Sequence, residues 1–201
     1  MSEARVQQEA PEFTAQAVMP DGSFKEIKLA DYRGKYVALF FYPLDFTFVC
    51  PTELIALSEK MGEFQERNAE VLGISIDSHF SHAAWRSAPR DQGGVGELQY
   101  PLISDLDKSI SRQYGVLLEK PGIALRGLFL LDKSGVLKHI TINDLPIGRN
   151  VDEILRVLDA IQFSEEHGEV CPANWQKGSD GMKPDDSGLK SYSKKHYSKV
   201  A

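Results

Sequence analysis

Cysteine is scarce: the 201 residues contain only Cys50 and Cys171. Two cysteines cannot build a disulfide framework, and in a reducing compartment a cysteine more often serves chemistry or plain burial than stapling. Long apolar runs are missing as well. The longest, around Tyr36–Leu44, is about half of what a bilayer-spanning helix requires, which excludes a transmembrane helix. The first ten residues, Met1 to Ala10, hold no apolar stretch resembling an export signal, so the expected location is cytoplasmic, with no membrane partner. Positive charge is in deficit: 23 Lys and Arg stand against 29 Asp and Glu, a formal net charge of −6. A surface acidic on balance argues against a general nucleic-acid partner, because phosphate binding needs a basic one. No internal repeat and no glycine-rich nucleotide fingerprint is present, so no cofactor is expected and any reducing power has to come from a partner. His79 and His82 have a spacing that could share a metal, but no further ligand is matched to them, and no metal is expected.

What is present suits a globular α/β chain. Phe13–Leu29 reads as two short strands around the turn Pro20-Asp21-Gly22, an N-terminal hairpin. Tyr36–Tyr42 is β-branched, aromatic and apolar on both faces, which predicts a central strand buried on each side. From Pro51 to about Arg67, Leu54, Leu57, Met61 and Phe64 recur at helical spacing, so one amphipathic helix is expected there. Glu70–Asp77 predicts a strand, Ser78–Arg86 a helix, and Asp105–Tyr114 a short helix closed by Gly115. Gly127–Leu131 and Val136–Ile142 predict two strands around Asp132-Lys133-Ser134-Gly135. Val151, Ile154, Leu155, Leu158 and Ile161 mark the face of a last long helix, with Asn150 and Glu153 spaced like a capping box. Alternating strands and helices followed by a hairpin and a helix predict a central mixed β-sheet flanked by helices, over residues 1–165. Residues 166–201 read as an extension interrupted by Gly178, Gly181, Pro184 and Gly188. Its end carries Lys190, Lys194, Lys195, His196 and Lys199, a solvated basic helical end or a contact for an anionic partner.

Cys50 falls between the buried strand and the start of a helix, immediately before Pro51. Unpaired amides and the partial positive charge of a helix N-terminus favour thiolate over thiol, whereas a lone cysteine there also fits simple burial. The neighbourhood decides between them. Pro43, Thr47 and Cys50 form Pro-x-x-x-Thr-x-x-Cys, and Phe46-Thr47-Phe48-Val49-Cys50-Pro51-Thr52-Glu53 resembles the active-site segment of typical 2-Cys peroxiredoxins and of the alkyl hydroperoxide reductase C subunit. Arg126 in Leu125-Arg126-Gly127-Leu128-Phe129 resembles the active-site arginine of that family. Asn143 to Arg149 resembles a further family segment, and Glu169-Val170-Cys171-Pro172-Ala173 resembles its resolving-cysteine motif. The resemblance spans roughly Pro11 to Pro184.

It implies a thioredoxin-like fold and a peroxidase for hydrogen peroxide and small organic hydroperoxides. It also implies a Cys50 sulfenic acid resolved by Cys171 of the partner subunit in a homodimer, with an intrachain bond as the lesser option. Dimers of the family assemble through the surface near Asp77–His82 into a ring of ten subunits, so a decamer is expected. Thioredoxin or a flavoprotein disulfide reductase would return the disulfide to dithiol. A holdase-type chaperone is the alternative from another class. A dithiol exchanger is disfavoured because Cys50-Pro51-Thr52-Glu53 lacks the second cysteine of Cys-x-x-Cys, and a cysteine hydrolase because no histidine base is recognisable.

The chemistry explains the residue types. A thiol with an ordinary pKa of about 8.5 is roughly 3% thiolate at neutral pH, so complete ionisation gains only about thirtyfold. The larger contribution has to come from groups aimed at the oxygen that leaves as the O–O bond breaks. Arg126 is expected to supply fixed positive charge, Thr47 a hydroxyl that positions the peroxide, the Cys50 amide a further donor, and Pro43 a shield. Glu53, one turn along, would orient Arg126 or Arg149, or serve as an ordinary first-turn acid. Gly93-Gly94-Val95-Gly96 resembles an element of peroxide-sensitive members, but Tyr192-Ser193 stands where those carry Tyr-Phe, so intermediate sensitivity to overoxidation is expected.

Overall fold

The computed structural model describes residues 4–198. It contains β1 (Thr14–Val18), β2 (Phe24–Lys28), β3 (Tyr36–Phe41), α1 (Cys50–Glu59), α2 (Met61–Glu66), β4 (Ala69–Ser75), α3 (His79–Ser87), β5 (Leu102–Ser104) and α4 (Ser109–Gln113). These are followed by β6 (Leu117–Leu118), β7 (Ile123–Ala124), β8 (Arg126–Leu131), β9 (Leu137–Asn143), α5 (Val151–His167) and α6 (Asp186–Tyr197). Seven strands form one sheet in the order β2-β1-β5-β4-β3-β8-β9, and β6 and β7 form a separate two-stranded ribbon. Strands β3, β4 and β5 run parallel, while β1, β2, β8 and β9 join antiparallel to their neighbours. This is the mixed α/β architecture that the sequence predicts. The N-terminal hairpin is part of it: β1 pairs with β5 and extends the sheet, with Ala17 opposite Ile103.

All six residues of β3 are buried, and the period of two along a strand sends them to opposite faces. Val37, Leu39 and Phe41 enter one apolar cluster with Leu72, Ile74, Phe129 and Leu131. Phe40 belongs to the other face, and the register places it opposite Leu128. Arg126, two residues before Leu128 on β8, therefore shares the face of Phe40, away from the main apolar cluster. That face carries the chemistry.

The helical stretch expected over Pro51–Arg67 is two helices, not one. At Lys60 the backbone turns to φ −96° and ψ 4°, and the amide of Lys60 donates to Leu57 O, a tighter 3₁₀-type closure. The apolar spacing tolerates this break, because Leu54, Leu57, Met61 and Phe64 are all buried on both sides of it. The helix expected over Asp105–Tyr114 shrinks to α4, since Lys108 adopts φ +64°. The buried Asp105 carboxylate accepts from the amides of Ile110 and Ser111 at 2.9 and 2.7 Å. Helix α3 starts where its cap predicts, Ser78 Oγ accepting from Ser81 N.

The chain divides into two compact units, Met1–Val151 and Asp152–Ala201, so the division falls at the first residue of α5, whereas the expected boundary between residues 165 and 166 falls near its end. In the second unit α5 leads to a segment closed by paired amide bonds between Val170 and Met182. Trp175, 3% exposed, lies 4.9 Å from the Phe163 ring, and its carbonyl accepts from Arg156. The basic end is largely paired within this unit: Asp180 accepts from Lys195 at 2.5 Å and His196 at 2.8 Å, and Lys190 pairs with Asp186. Lys199 lies outside the described residues.

Candidate active site

Cys50 is the first residue of α1 and is fully buried. Its amide is one of the orphan donors of the helix start, with no intrahelical acceptor, and Pro51 follows where a missing amide costs nothing. Arg126, 3% exposed, opens β8. Its Nη1 donates to Cys50 Sγ at 3.4 Å and to Glu53 Oε2 at 2.7 Å, while Nε donates to Leu145 O at 2.7 Å. Glu53 is 4% exposed, so it is no ordinary solvated first-turn acid. Arg149 forks onto it: Nε donates to Oε1 at 2.9 Å, Nη2 to Oε2 at 3.1 Å, and the Arg149 amide to Oε1 at 2.8 Å. Glu53 therefore contacts both arginines at once.

The Arg149 guanidinium also lies 3.2 Å from the Phe40 ring centroid and donates to Gly127 O. Burial pulls its pKa down, and the hydrogen bonds and charge of Glu53 oppose that shift. Two buried guanidinium groups and one carboxylate leave an excess of one positive charge, held within hydrogen-bonding distance of sulfur. Such an excess complements negative charge on the sulfur or on an oxygen departing from it.

Pro43 is buried and Thr47 half-buried in the segment before Cys50. Thr47 Oγ1 donates to Leu44 O at 2.9 Å, which fixes the polarity of the hydroxyl: its proton is engaged, and its lone pairs are what it offers a substrate O–H. Cys171, in the second unit, is half-buried, and its thiol points to Ala160 O at 3.5 Å. Burial pushes the Cys171 thiol up, and Arg156 partly opposes this. Both cysteines are free thiols.

Two residues that matter here escape the sequence reading. Asp45 looks like an ordinary turn acid after Pro43, yet its carboxylate accepts from Tyr42, Ser81 and His82. His82 is fully buried against Asp45, whereas His79 packs 4.9 Å from the exposed Phe24 ring. The two histidines serve separate contacts. The glycines of 93–96 have a local reason: Gly93 and Gly96 adopt positive φ, and a Cβ on Gly94 would sit 2.0 Å from Ala88 O.

Comparison with known proteins agrees with this geometry. The sequence pattern of the AhpC/TSA family matches residues 6–140, and that of the C-terminal domain of 1-Cys peroxiredoxin matches residues 160–195. The chain is 61% identical over 183 residues to Peroxiredoxin-1 of Gallus gallus, covering 91% of this chain and 92% of the relative. It is 59% identical to the mitochondrial thioredoxin-dependent peroxide reductase of Drosophila melanogaster, covering 98% and 84%. The reduced 2-Cys peroxiredoxin of Plasmodium vivax superposes with a TM-score of 0.91 at 52% identity, covering 93% of this chain and 97% of that one. With a buried cysteine at a helix start, an arginine on its sulfur and a second cysteine in the C-terminal unit, the chain belongs to the AhpC/TSA family as a 2-Cys peroxiredoxin, a thiol-dependent peroxidase.

Proposed function

We propose that Cys50 is the residue oxidised by hydrogen peroxide and small organic hydroperoxides. The observation that carries this is the Arg126 guanidinium, which donates to Cys50 Sγ and is held there by Glu53. The thiolate attacks one peroxide oxygen, an S–O bond forms as the O–O bond breaks, and the departing oxygen takes a proton as water or an alcohol. Arg126 and the Cys50 amide are the donors offered to that charge, while Thr47 accepts from the peroxide hydroxyl. The sulfenic acid then condenses with Cys171 of a partner subunit, forming an S–S bond and releasing water. A dithiol partner restores both thiols by exchange, and the likeness to a thioredoxin-dependent reductase favours thioredoxin.

One equivalent of hydrogen peroxide added to reduced protein is expected to give a covalent dimer on a non-reducing gel, with Cys50 joined to Cys171 in the peptide map. Cys171→Ser is expected to give monomer with the sulfenic acid on Cys50. Unreacted Cys50 in the wild type sinks the reading. Because burial raises the Cys171 pKa and thiolate is the attacking form, the disulfide step should accelerate about tenfold per pH unit between about pH 6 and 8. Stopped-flow traces that stay flat over that range would mean that Cys171 ionisation does not limit the step.

Assembly beyond the dimer is proposed through the exposed aromatic surface of Phe24 and Phe80, whose rings meet at 5.4 Å with His79 against both. An apolar cluster of this kind marks a contact surface. Phe80→Asp is expected to shift sedimentation from the ring to the dimer; an unchanged ring would place the contact elsewhere. Intermediate sensitivity to overoxidation is also proposed, since the tail helix keeps Tyr192, stacked on His196 at 4.2 Å, but carries Ser193 beside it. Mass spectrometry during turnover would refute this if no sulfinic acid accumulated.

A further inference from the structure

The Cys50 sulfur has no exposed surface, so a bond to a second sulfur requires the segment before Cys50 to leave its place. That segment, residues 43–49, belongs to neither a strand nor a helix, and Phe46 within it holds φ +53°, a conformation that a bulky residue adopts only when its surroundings impose it. Its polar anchorage is concentrated on Asp45, whose side chain is fully buried. The Asp45 amide donates to Asp77 Oδ2 at 2.9 Å. Its carboxylate accepts from Tyr42 Oη at 2.9 Å, Ser81 Oγ at 2.8 Å and His82 Nδ1 at 2.9 Å. The other nitrogen of His82 lies 3.2 Å from Ile103 O, so the imidazole bridges the segment to β5, an inner strand of the sheet.

We propose that His82 is a positioning residue for the peroxidase reaction: by holding Asp45 it keeps residues 43–49 closed over Cys50, and its release permits the disulfide step. The inference rests on Cys50 being the residue that meets peroxide. A buried carboxylate is tolerated only while its donors satisfy it. Loss of one donor therefore weakens the hold of the others, and the anchor behaves as a latch with a closed and an open arrangement rather than as graded friction. An apolar anchor would hold the segment without that property. The closed arrangement favours attack on peroxide, and the open one favours capture by Cys171. A latch must then move the two rates in opposite directions, which a residue that merely supports the fold would not do.

The test uses His82→Leu and His82→Asn in full-length protein carrying Trp175→Phe, so that Trp85 reports alone. Trp85 lies 5.8 Å from the Phe46 ring and senses the segment directly. Stopped-flow fluorescence resolves the peroxide step and then the disulfide step, at matched oligomeric state because α3 also carries His79 and Phe80. His82→Leu is expected to slow the peroxide step by about tenfold and to speed the disulfide step by a similar factor, the size of one lost charge-assisted hydrogen bond. His82→Asn, which offers an N–H near the position of Nδ1, should restore both rates to within about threefold. Rates that both fall, or neither of which changes, overturn the latch while a reactive parent leaves the peroxidase intact. A parent that does not react with peroxide overturns the peroxidase reading, and the latch with it. Should His82→Leu fail to fold, Ser81→Ala and Tyr42→Phe each remove one donor from Asp45 and must shift the two rates in the same opposed sense.

Discussion

Arg126→Lys is expected to slow the reaction of reduced Cys50 with hydrogen peroxide by about 10²-fold or more, with folding and assembly retained. The substitution keeps the charge and removes the fork. In the wild type one planar guanidinium reaches Leu145 O through Nε and both Cys50 Sγ and Glu53 Oε2 through Nη1. A lysine ammonium is a single point on a flexible stem and cannot span those positions. The expected loss matches that for removing one preorganised donor from a developing oxyanion. Stopped-flow measurement of the peroxide step decides it. A rate within a few-fold of wild type would mean that charge alone suffices and that the fork has no part in the transition state.

The order of elements was legible because its signals are local. The doubly apolar run at Tyr36–Tyr42 could only be an inner strand, and Ser78 announced α3 by its own side chain. That Cys50, Thr47 and Pro43 lie together was legible for the same reason, since one short segment holds all three. Glu53 was half legible: its helical spacing from Cys50 put it near an arginine, but that it would serve two depended on β8 and on the segment reaching Arg149 meeting over Phe40, which is a fact of the sheet register. Asp45 and His82 were opaque. A turn acid and a helical histidine far apart in the chain carry no sign that burial will pair them, and the spacing of His79 and His82, which no further metal ligand matches, does not point to Asp45 either. Polar groups acquire such partners from tertiary structure, whereas apolar periodicity reflects it in advance.

Glu53→Gln tests the buried charges themselves, and it is expected to destabilise the subunit by about 3 to 5 kcal/mol. The substitution preserves shape, so no cavity accompanies it. What changes is that two guanidinium groups, each with a side chain no more than 4% exposed, lose the carboxylate between them and face one another where burial leaves their charges poorly screened. The mutual repulsion also frees Arg126 from its hold, so the peroxide step should fall along with stability. Urea unfolding at one fixed protein concentration measures the first effect, since assembly makes stability depend on concentration. The double variant Glu53→Gln/Arg149→Met separates the causes. Removing one cation with the anion should recover most of the lost stability, because replacing both partners of a buried pair is far cheaper than orphaning one. If the single substitution costs less than about 1 kcal/mol, the carboxylate is not what makes two adjacent cations tolerable, and the positive excess at the Cys50 sulfur needs another source of compensation.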